Sequence, residues 1–130
     1  MGIDHHRLYA EATELSKSLP GAEVYSFTPG WEAARVCGKW FMLTTVLDEE
    51  RIVILKASPE DGMALRQMHP EITAGYHMNK RHWITVRAGG GVSAELLREL
   101  VTDSYRAILA TIPRRRRPLG WERYLTSGAE

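Results

Sequence analysis

Several common signals of location and chemistry are missing from this 130-residue chain. Its single cysteine, Cys37, rules out an internal disulfide. No apolar run approaches the ~20 residues that a membrane-spanning helix needs. The first residues, Met1–Arg7, lack the apolar core of a signal peptide. We therefore expect a cytoplasmic protein with no membrane partner.

Reaction motifs are also scarce. The run Gly89–Gly91 has neither the spacing of a dinucleotide-binding loop nor the lysine of a P-loop, and it predicts a flexible linker. Cys37 adjoins a glycine in a predicted tight turn, away from any helix N-terminus that would lower its thiol pKa. His77 and His82 are five residues apart, which matches no standard zinc spacing. We expect no enzymatic activity, no cofactor and no metal.

A general surplus of positive charge is missing too. The 17 Lys and Arg residues against 16 Asp and Glu give a formal net charge of +1, and the pI of about 7.9 is below the ~9 typical of nucleic-acid-binding domains. Positive charge is instead concentrated in one run, Arg114, Arg115, Arg116 and Arg117. This run could bind phosphates, or it could complement the negative end of a preceding helix.

Three helices are predicted from apolar stripes and capping residues. The first occupies residues 4–19, with a stripe at helical spacing formed by Leu8, Ala12, Leu15 and Leu19. Ser58–Asp61 begins a second helix, because serine suits the cap, proline the first turn and an acid the third position. Ser93 caps a last helix that Pro113 ends.

The segments between these helices predict strands. Because consecutive strands joined by tight turns are antiparallel, the fold class is α+β. We predict an antiparallel sheet of about five strands with three helices, in the order α-β(3)-α-β(2)-α. The strand segments are Trp31–Val36, Lys39–Leu47, Arg51–Lys56, Thr73–Tyr76 and Trp83–Arg87, with Ala22–Phe27 as a possible short edge strand.

The strand Lys39–Leu47 is apolar on both of its faces, which is typical of a covered central strand. Alternation places Phe41 with Leu43, and Trp40 with Met42, on opposite faces. We predict one domain over residues 1–112 and a basic tail over residues 113–130. The tail offers three apolar residues that could dock, Trp121, Tyr124 and Leu125.

The densest mixture of polar, cationic and aromatic residues is Gly75–Trp83. Asn79 suits a turn and Trp83 suits a core anchor, but neither explains the consecutive Lys80, Arg81 and His82. The segment is therefore either a nucleic-acid contact surface or a specialised hairpin. Aromatic residues elsewhere could form a stacking face for bases or simply belong to the core: Tyr25, Trp31, Trp40 and Trp83.

The octapeptide Tyr76–Trp83 resembles a motif of the MmcQ/YjbR family of small bacterial proteins. Three other segments resemble that family in the same order along the chain, and the resemblance covers residues 4–112. They are Leu19-Pro20-Gly21, Gly38-Lys39-Trp40-Phe41 and Ser104-Tyr105. The family implies an α+β fold akin to that of secretion chaperones and is described as DNA-binding through a winged surface. It supplies no catalytic residues.

Two functional classes follow from the residues and the resemblance together. The first is a weak or sequence-tolerant DNA-binding module, with duplex DNA as its partner. Its candidate contacts are Asn79, Lys80, Arg81, His82, Arg87, Arg114, Arg115, Arg116 and Arg117. The second is a chaperone-like or adaptor module that holds a protein partner and has no nucleic-acid ligand.

Overall fold

The computed structural model describes residues 2–125. Within this range no helix is long and apolar enough to cross a lipid bilayer. Two short 3-10 turns, Arg114–Arg116 and Trp121–Arg123, follow the last α-helix. In chain order the elements are α1 (His5–Ser18), β1 (Ala22–Thr28), β2 (Trp31–Val36), β3 (Lys39–Leu47), β4 (Glu50–Lys56), α2 (Pro59–Met68), β5 (Ile72–Ala74), β6 (Trp83–Val86) and α3 (Ala94–Leu109).

The strands form one antiparallel sheet in the order β1-β2-β3-β4-β6-β5, which confirms the α+β fold with three helices. The predicted count of about five strands is one too low. β1 is a full edge strand of seven residues, paired with β2 from Ala22 to Thr28. The possible short edge strand predicted over Ala22–Phe27 is thus confirmed and extends by one residue, to Thr28.

Each helix begins where a side chain satisfies a free backbone N–H. The predicted caps are confirmed: Ser58 accepts from the backbone of Asp61, and Ser93 accepts from the backbone of Leu96. Asp4 caps α1 in the same way. α1 and α3 pack together on one side of the sheet, the helical face, where the main core lies.

The register of β3 contains a bulge that changes which side chains reach this core. Arg35 pairs with Trp40 and Ala34 pairs with Met42, so Phe41 is an extra residue. Phe41 and Met42 therefore both lie in the main core, and the predicted alternation of these two residues is wrong. Trp40 lies on the opposite side of the sheet, the loop face, with Leu43.

Ser104 connects β3 to β4 just beyond the last pair of their ladder, Met42 with Leu55. Its buried hydroxyl donates to the carbonyl of Phe41 at 2.5 Å and accepts from the backbone N–H of Lys56 at 2.9 Å. The neighbouring Tyr105 is also buried, and its hydroxyl donates to the carbonyl of Pro20 at 2.7 Å. Burial raises the pKa of Tyr105 to about 12. These hydrogen bonds connect α3 to the sheet and to the residues that follow α1.

The glycine run after β6 is packed, so the predicted flexible linker is wrong. The N–H of Gly91 donates to the carboxylate of Glu71 at 2.8 Å. A Cβ on Gly89 would lie 2.5 Å from Cγ of Glu71. The N-terminal segment crosses the same run, since Ile3 bridges to Gly89. Gly89 and Gly91 therefore allow the backbone to approach the side chain of Glu71 closely.

The described part of the tail lies against the helical face. Trp121, Tyr124 and Leu125 contact the main core, which confirms that these residues dock. The ring of Tyr124 meets that of Tyr105 edge-on, with centroids 5.3 Å apart. Residues 126–130 of the predicted tail lie outside the described residues.

Candidate nucleic-acid interface

Residues 75–82, the Gly75–His82 loop, connect β5 to β6 and turn the chain across the sheet. The N–H of Gly75 donates to the carbonyl of Trp83 at 2.9 Å, which continues the β5–β6 ladder by one residue. The N–H of Tyr76 then bonds to Oγ1 of Thr85 at 2.8 Å. A Cβ on Gly75 would lie 2.6 Å from Cβ of Trp83, so the crossing requires glycine.

The inner side of this loop covers the loop face of the sheet. Tyr76 stacks on Trp31 of β2, with ring centroids 6.1 Å apart and planes 6° from parallel. With Met78, it packs on a second, smaller core. The fully or nearly buried members of that core are Leu43, Ile52, Ile54 and Trp83. The loop therefore contributes to the stability of the fold.

The outer side of the loop carries the four predicted contact residues, and two of them have structural bonds. Asn79 accepts from the backbone N–H groups of Arg81 and His82, at 2.9 and 3.1 Å. Nζ of Lys80 donates to the carbonyl of Gly75 at 2.5 Å. The side chains of Arg81 and His82 are exposed and form no hydrogen bond or ion pair with residues 2–125.

The other predicted contact residues lie elsewhere. Arg87 is at the far end of β6 and forms an ion pair with Asp48 at 3.4 Å. The guanidinium of Arg117 lies 4.5 Å from the centre of the Trp121 ring, and its Nε donates to the carbonyl of Ile112 at 2.8 Å. Arg114 lies 5.6 Å from the same ring.

The structure thus divides the predicted site in two. Asn79, Lys80, Arg81 and His82 are consecutive in the Gly75–His82 loop, where Arg81 also lines a pocket with residues of α2. Arg87 is separated from them by the length of β6. The run Arg114–Arg117 follows α3 and contacts Trp121, which packs on the main core of the helical face. Arg115 and Arg116 are exposed there.

Beside the loop lies a cleft of about 300 Å³, the aromatic cleft. Its walls are Phe27, Thr28, Trp31, Trp40, Leu43, His77 and Met78. The rings of Phe27 and Trp40 are 4.7 Å apart, and those of Trp31 and His77 meet edge-on at 5.7 Å. Nε1 of Trp40 donates to the hydroxyl of Tyr25 at 2.8 Å, which fixes one wall.

The aromatic cleft contains two residues from the predicted stacking face, Trp31 and Trp40. Trp83 instead belongs to the core, with 9% of its surface exposed, which confirms the interpretation of this residue as a core anchor. The sequence reasoning missed Phe27 and the two loop residues His77 and Met78. A signal for Phe27 was present, because the turn before Trp31 brings the end of β1 beside the start of β2.

Basic side chains border the same face. The guanidinium of Arg35 lies 4.1 Å from the centre of the Tyr25 ring and forms an ion pair with Glu23 at 2.7 Å. The ammonium of Lys56 lies 5.6 Å from the centre of the Trp83 ring. The loop face therefore combines the cations of Arg35 and Lys56 with aromatic rings.

Cys37 is exposed in the β2–β3 turn, and its thiol lies 3.4 Å from the carbonyl of Arg116. Among residues 2–125, no three His, Cys, Asp or Glu side chains are grouped closely enough to hold a metal ion together.

Comparisons with known proteins match this chain over most of its length. A family model described as YjbR matches residues 17–107. The chain is 35% identical over 114 residues to the uncharacterized protein YbdF of Escherichia coli O157:H7, covering 87% of this chain and 93% of that protein. It is 31% identical over 112 residues to the uncharacterized protein YjbR of Escherichia coli K12, covering 85% and 94%.

Solved structures share the fold. A crystal structure of the Deinococcus radiodurans protein DR2400 matches with a TM-score of 0.75 and 28% identity, over 94% of each chain. A Pseudomonas syringae protein matches with a TM-score of 0.60 and 26% identity, over 73% of this chain and 93% of that one. With the family model covering the sheet, α2 and most of α3, this chain belongs to the YjbR family.

Proposed function

We propose that this protein is a non-enzymatic module that binds nucleic acid weakly and with little sequence preference. Unpaired bases would stack in the aromatic cleft, and their phosphates would contact Arg81 and His82. The observation that carries the proposal is the position of the cleft. The loop that carries the exposed Arg81 and His82 also supplies His77 and Met78 to the cleft wall.

The chemistry of the cleft favours unpaired bases over duplex DNA. Aromatic side chains contribute about 1–3 kcal/mol per stacked base, and they tolerate any base because every base has a π-face. In a duplex the bases are already stacked on each other. The cleft is formed by Phe27 and Trp40 on one side and His77 on the other, with Phe27 at 37% exposure.

The loop chemistry favours sequence tolerance. An asparagine that reads adenine uses both its amide oxygen and its amide nitrogen on the base edge. The side-chain oxygen of Asn79 already accepts two backbone N–H groups. The remaining groups, the guanidinium of Arg81 and the imidazole of His82, suit phosphate contacts, which carry no sequence information.

The test compares a labelled oligothymidine of about 12 nucleotides, a length that fits known single-strand sites, with the matched duplex. We expect anisotropy titrations in ~50 mM salt to show tighter binding of the single strand. Phe27→Ala should weaken that binding about 5-fold or more. Leu119→Ala, at a 96% exposed residue outside the cleft, should not. The proposal is wrong if the oligonucleotide does not bind, or if both variants bind equally well.

A preference for the duplex would contradict base stacking in the aromatic cleft, but it would still be consistent with phosphate binding by the Gly75–His82 loop.

The exposed, unpaired thiol of Cys37 suits a reducing compartment, so the proposal places the protein in the cytoplasm. A protein-interaction role, the second class left open by the sequence, draws on a different surface between α2 and α3.

A further inference from the structure

α2 is poorly buried for a helix in a packed domain. Of its ten residues only Gly62 is fully buried, whereas Met63 is 55% and Met68 is 71% exposed. Leu65 is the residue that reaches the main core. A surface helix ordinarily buries an apolar stripe, so α2 has apolar surface that this chain leaves uncovered.

That surface borders a groove of about 390 Å³ between α2 and α3, the α2/α3 groove. Each helix contributes one stripe at helical spacing. The α2 stripe is Asp61, Ala64, Leu65 and Met68, and the α3 stripe is Leu96, Glu99, Leu100, Asp103 and Ala107. The floor includes Ile84 of the sheet. The α3 stripe runs over 12 residues from Leu96 to Ala107, which is ~16 Å of helix, so the groove can hold about three turns of a further helix.

The rim of the groove is acidic. Asp61, Glu99 and Asp103 stand along its edges, and Lys56 is the one cation in its lining. Asp103 is partly neutralised by Arg106 at 3.1 Å. Asp61 and Glu99 form no ion pair with residues 2–125. An apolar floor between carboxylates complements a helix with an apolar stripe flanked by lysine or arginine.

We propose that the α2/α3 groove binds a basic amphipathic helix of a partner protein, which would occupy the position of a third helix between α2 and α3. The exposed methionines suit such a role, because their flexible, polarisable side chains adapt to different apolar partners. This site is distinct from the loop face, so it does not depend on the proposed nucleic-acid binding.

The probe is a displayed library of helical peptides with Leu or Met at the apolar stripe positions and Lys or Arg on both flanks. A second library, with Glu in place of every Lys and Arg, is the control. We expect selection on the whole protein to enrich binders from the basic library alone. Failure to enrich them, or equal enrichment from the acidic library, contradicts the proposal.

Two matched pairs of variants then locate the site of a selected peptide. Glu99→Lys with Asp103→Lys reverses the rim and should weaken binding at least 10-fold. Glu14→Lys with Glu122→Lys makes the same charge change outside the groove, and it also removes an i,i+3 ion pair, that of Glu14 with Lys17. It should leave binding within about 2-fold, because distant exposed charges are screened.

The second pair tests the apolar floor on one helix. Met68→Lys lies in the groove and should weaken binding, whereas Met63→Lys lies on α2 outside the groove lining and should not. Equal effects within either pair would overturn the assignment. Light scattering of the free protein distinguishes the alternative occupant: a dimer dissociated by Glu99→Lys would show that a second copy of this chain fills the groove.

Discussion

At the scale of single residues, several side chains in the segments that resemble the family form hydrogen bonds to backbone groups. Ser104 bridges backbone groups of β3 and β4, and Tyr105 donates a hydrogen bond to the carbonyl of Pro20. Asn79 holds the turn of the loop. The sequence could predict the turn role of Asn79, because asparagine commonly bonds to nearby backbone groups. It could not predict the role of Ser104, whose acceptor is the carbonyl of Phe41, 63 residues away.

Replacing Ser104 should be costly. Ser104→Ala removes the hydroxyl that forms hydrogen bonds with two backbone groups of the sheet, the carbonyl of Phe41 and the N–H of Lys56. We expect the free energy of unfolding to fall by about 2–4 kcal/mol, since a buried unsatisfied polar group costs about 1–3 kcal/mol. Urea denaturation measures this. Thr102→Ala, on the same helix but with its hydroxyl on the exposed side, should cost less than about 1 kcal/mol.

Alanine variants of Lys80 and Arg81 should distinguish a structural role of the Gly75–His82 loop from a role in nucleic-acid binding. If Arg81 contacts phosphate, Arg81→Ala should flatten the dependence of log affinity on log salt by about 0.7 for a single strand, with unchanged stability. Lys80→Ala should instead lower stability by about 1 kcal/mol, because the carbonyl of Gly75 loses its charged donor. Titrations at several salt concentrations and urea denaturation of both variants test this. A salt slope that neither variant changes would contradict phosphate binding at this loop.

At the scale of elements, the sequence predicted helices better than strand details. Caps and apolar stripes are local, so α1, α2 and α3 could be identified from neighbouring residues. The edge strand β1 and the bulge at Phe41 depend on pairing with β2. The run Gly89–Gly91 looked flexible because its packing partner, Glu71, is distant along the chain.

The contact between Glu71 and the glycine run predicts a pH-dependent contribution to stability. The N–H of Gly91 holds the pKa of Glu71 below its ordinary value of 4.5. A lowered pKa in the folded state means that the contribution is present above about pH 4.5 and is lost as pH falls through the folded-state pKa. We expect Glu71→Gln to lower the free energy of unfolding by about 1 kcal/mol at neutral pH.

The difference between Glu71→Gln and the natural sequence should be smaller at pH 3 than at neutral pH, because protonation of Glu71 as the pH falls through its folded-state pKa removes the contribution of the charge. Urea denaturation at the two pH values measures it. Glu14→Gln, at an exposed carboxylate of α1, is the control. An equal loss for Glu71→Gln at both pH values would show that the carboxylate packs sterically and that its charge contributes nothing.

At the scale of the whole molecule, the predicted division into a domain and a tail can be tested directly. A chain ending at Ile112 loses the docking of Trp121, Tyr124 and Leu125 on the main core. We expect a loss of about 3 kcal/mol of unfolding free energy, because these side chains are partly buried and each fully buried one contributes about 1.5–3 kcal/mol. A chain ending at Leu125 keeps every described contact and serves as the control. Equal stability of the two chains would establish residue 112 as the domain boundary.

The candidate sites, like the elements, could be predicted where their residues are neighbours in the sequence and not where the fold brings distant residues together. The cluster Asn79–His82 could be identified from the sequence because its residues are consecutive. The aromatic cleft could not, since it joins β1, β2, β3 and the Gly75–His82 loop. The α2/α3 groove combines residues that lie up to 51 positions apart, and no local pattern shows that the space between two helices is unfilled.

The positions of the four tryptophans give the two faces different optical properties. Trp31 and Trp40 line the aromatic cleft, and Trp83 lies beneath the loop. Trp121 lies under the guanidiniums of Arg114 and Arg117. Indole emission should therefore respond to a base that enters the cleft, while a helix entering the α2/α3 groove, whose lining contains no tryptophan, should leave the emission spectrum unchanged.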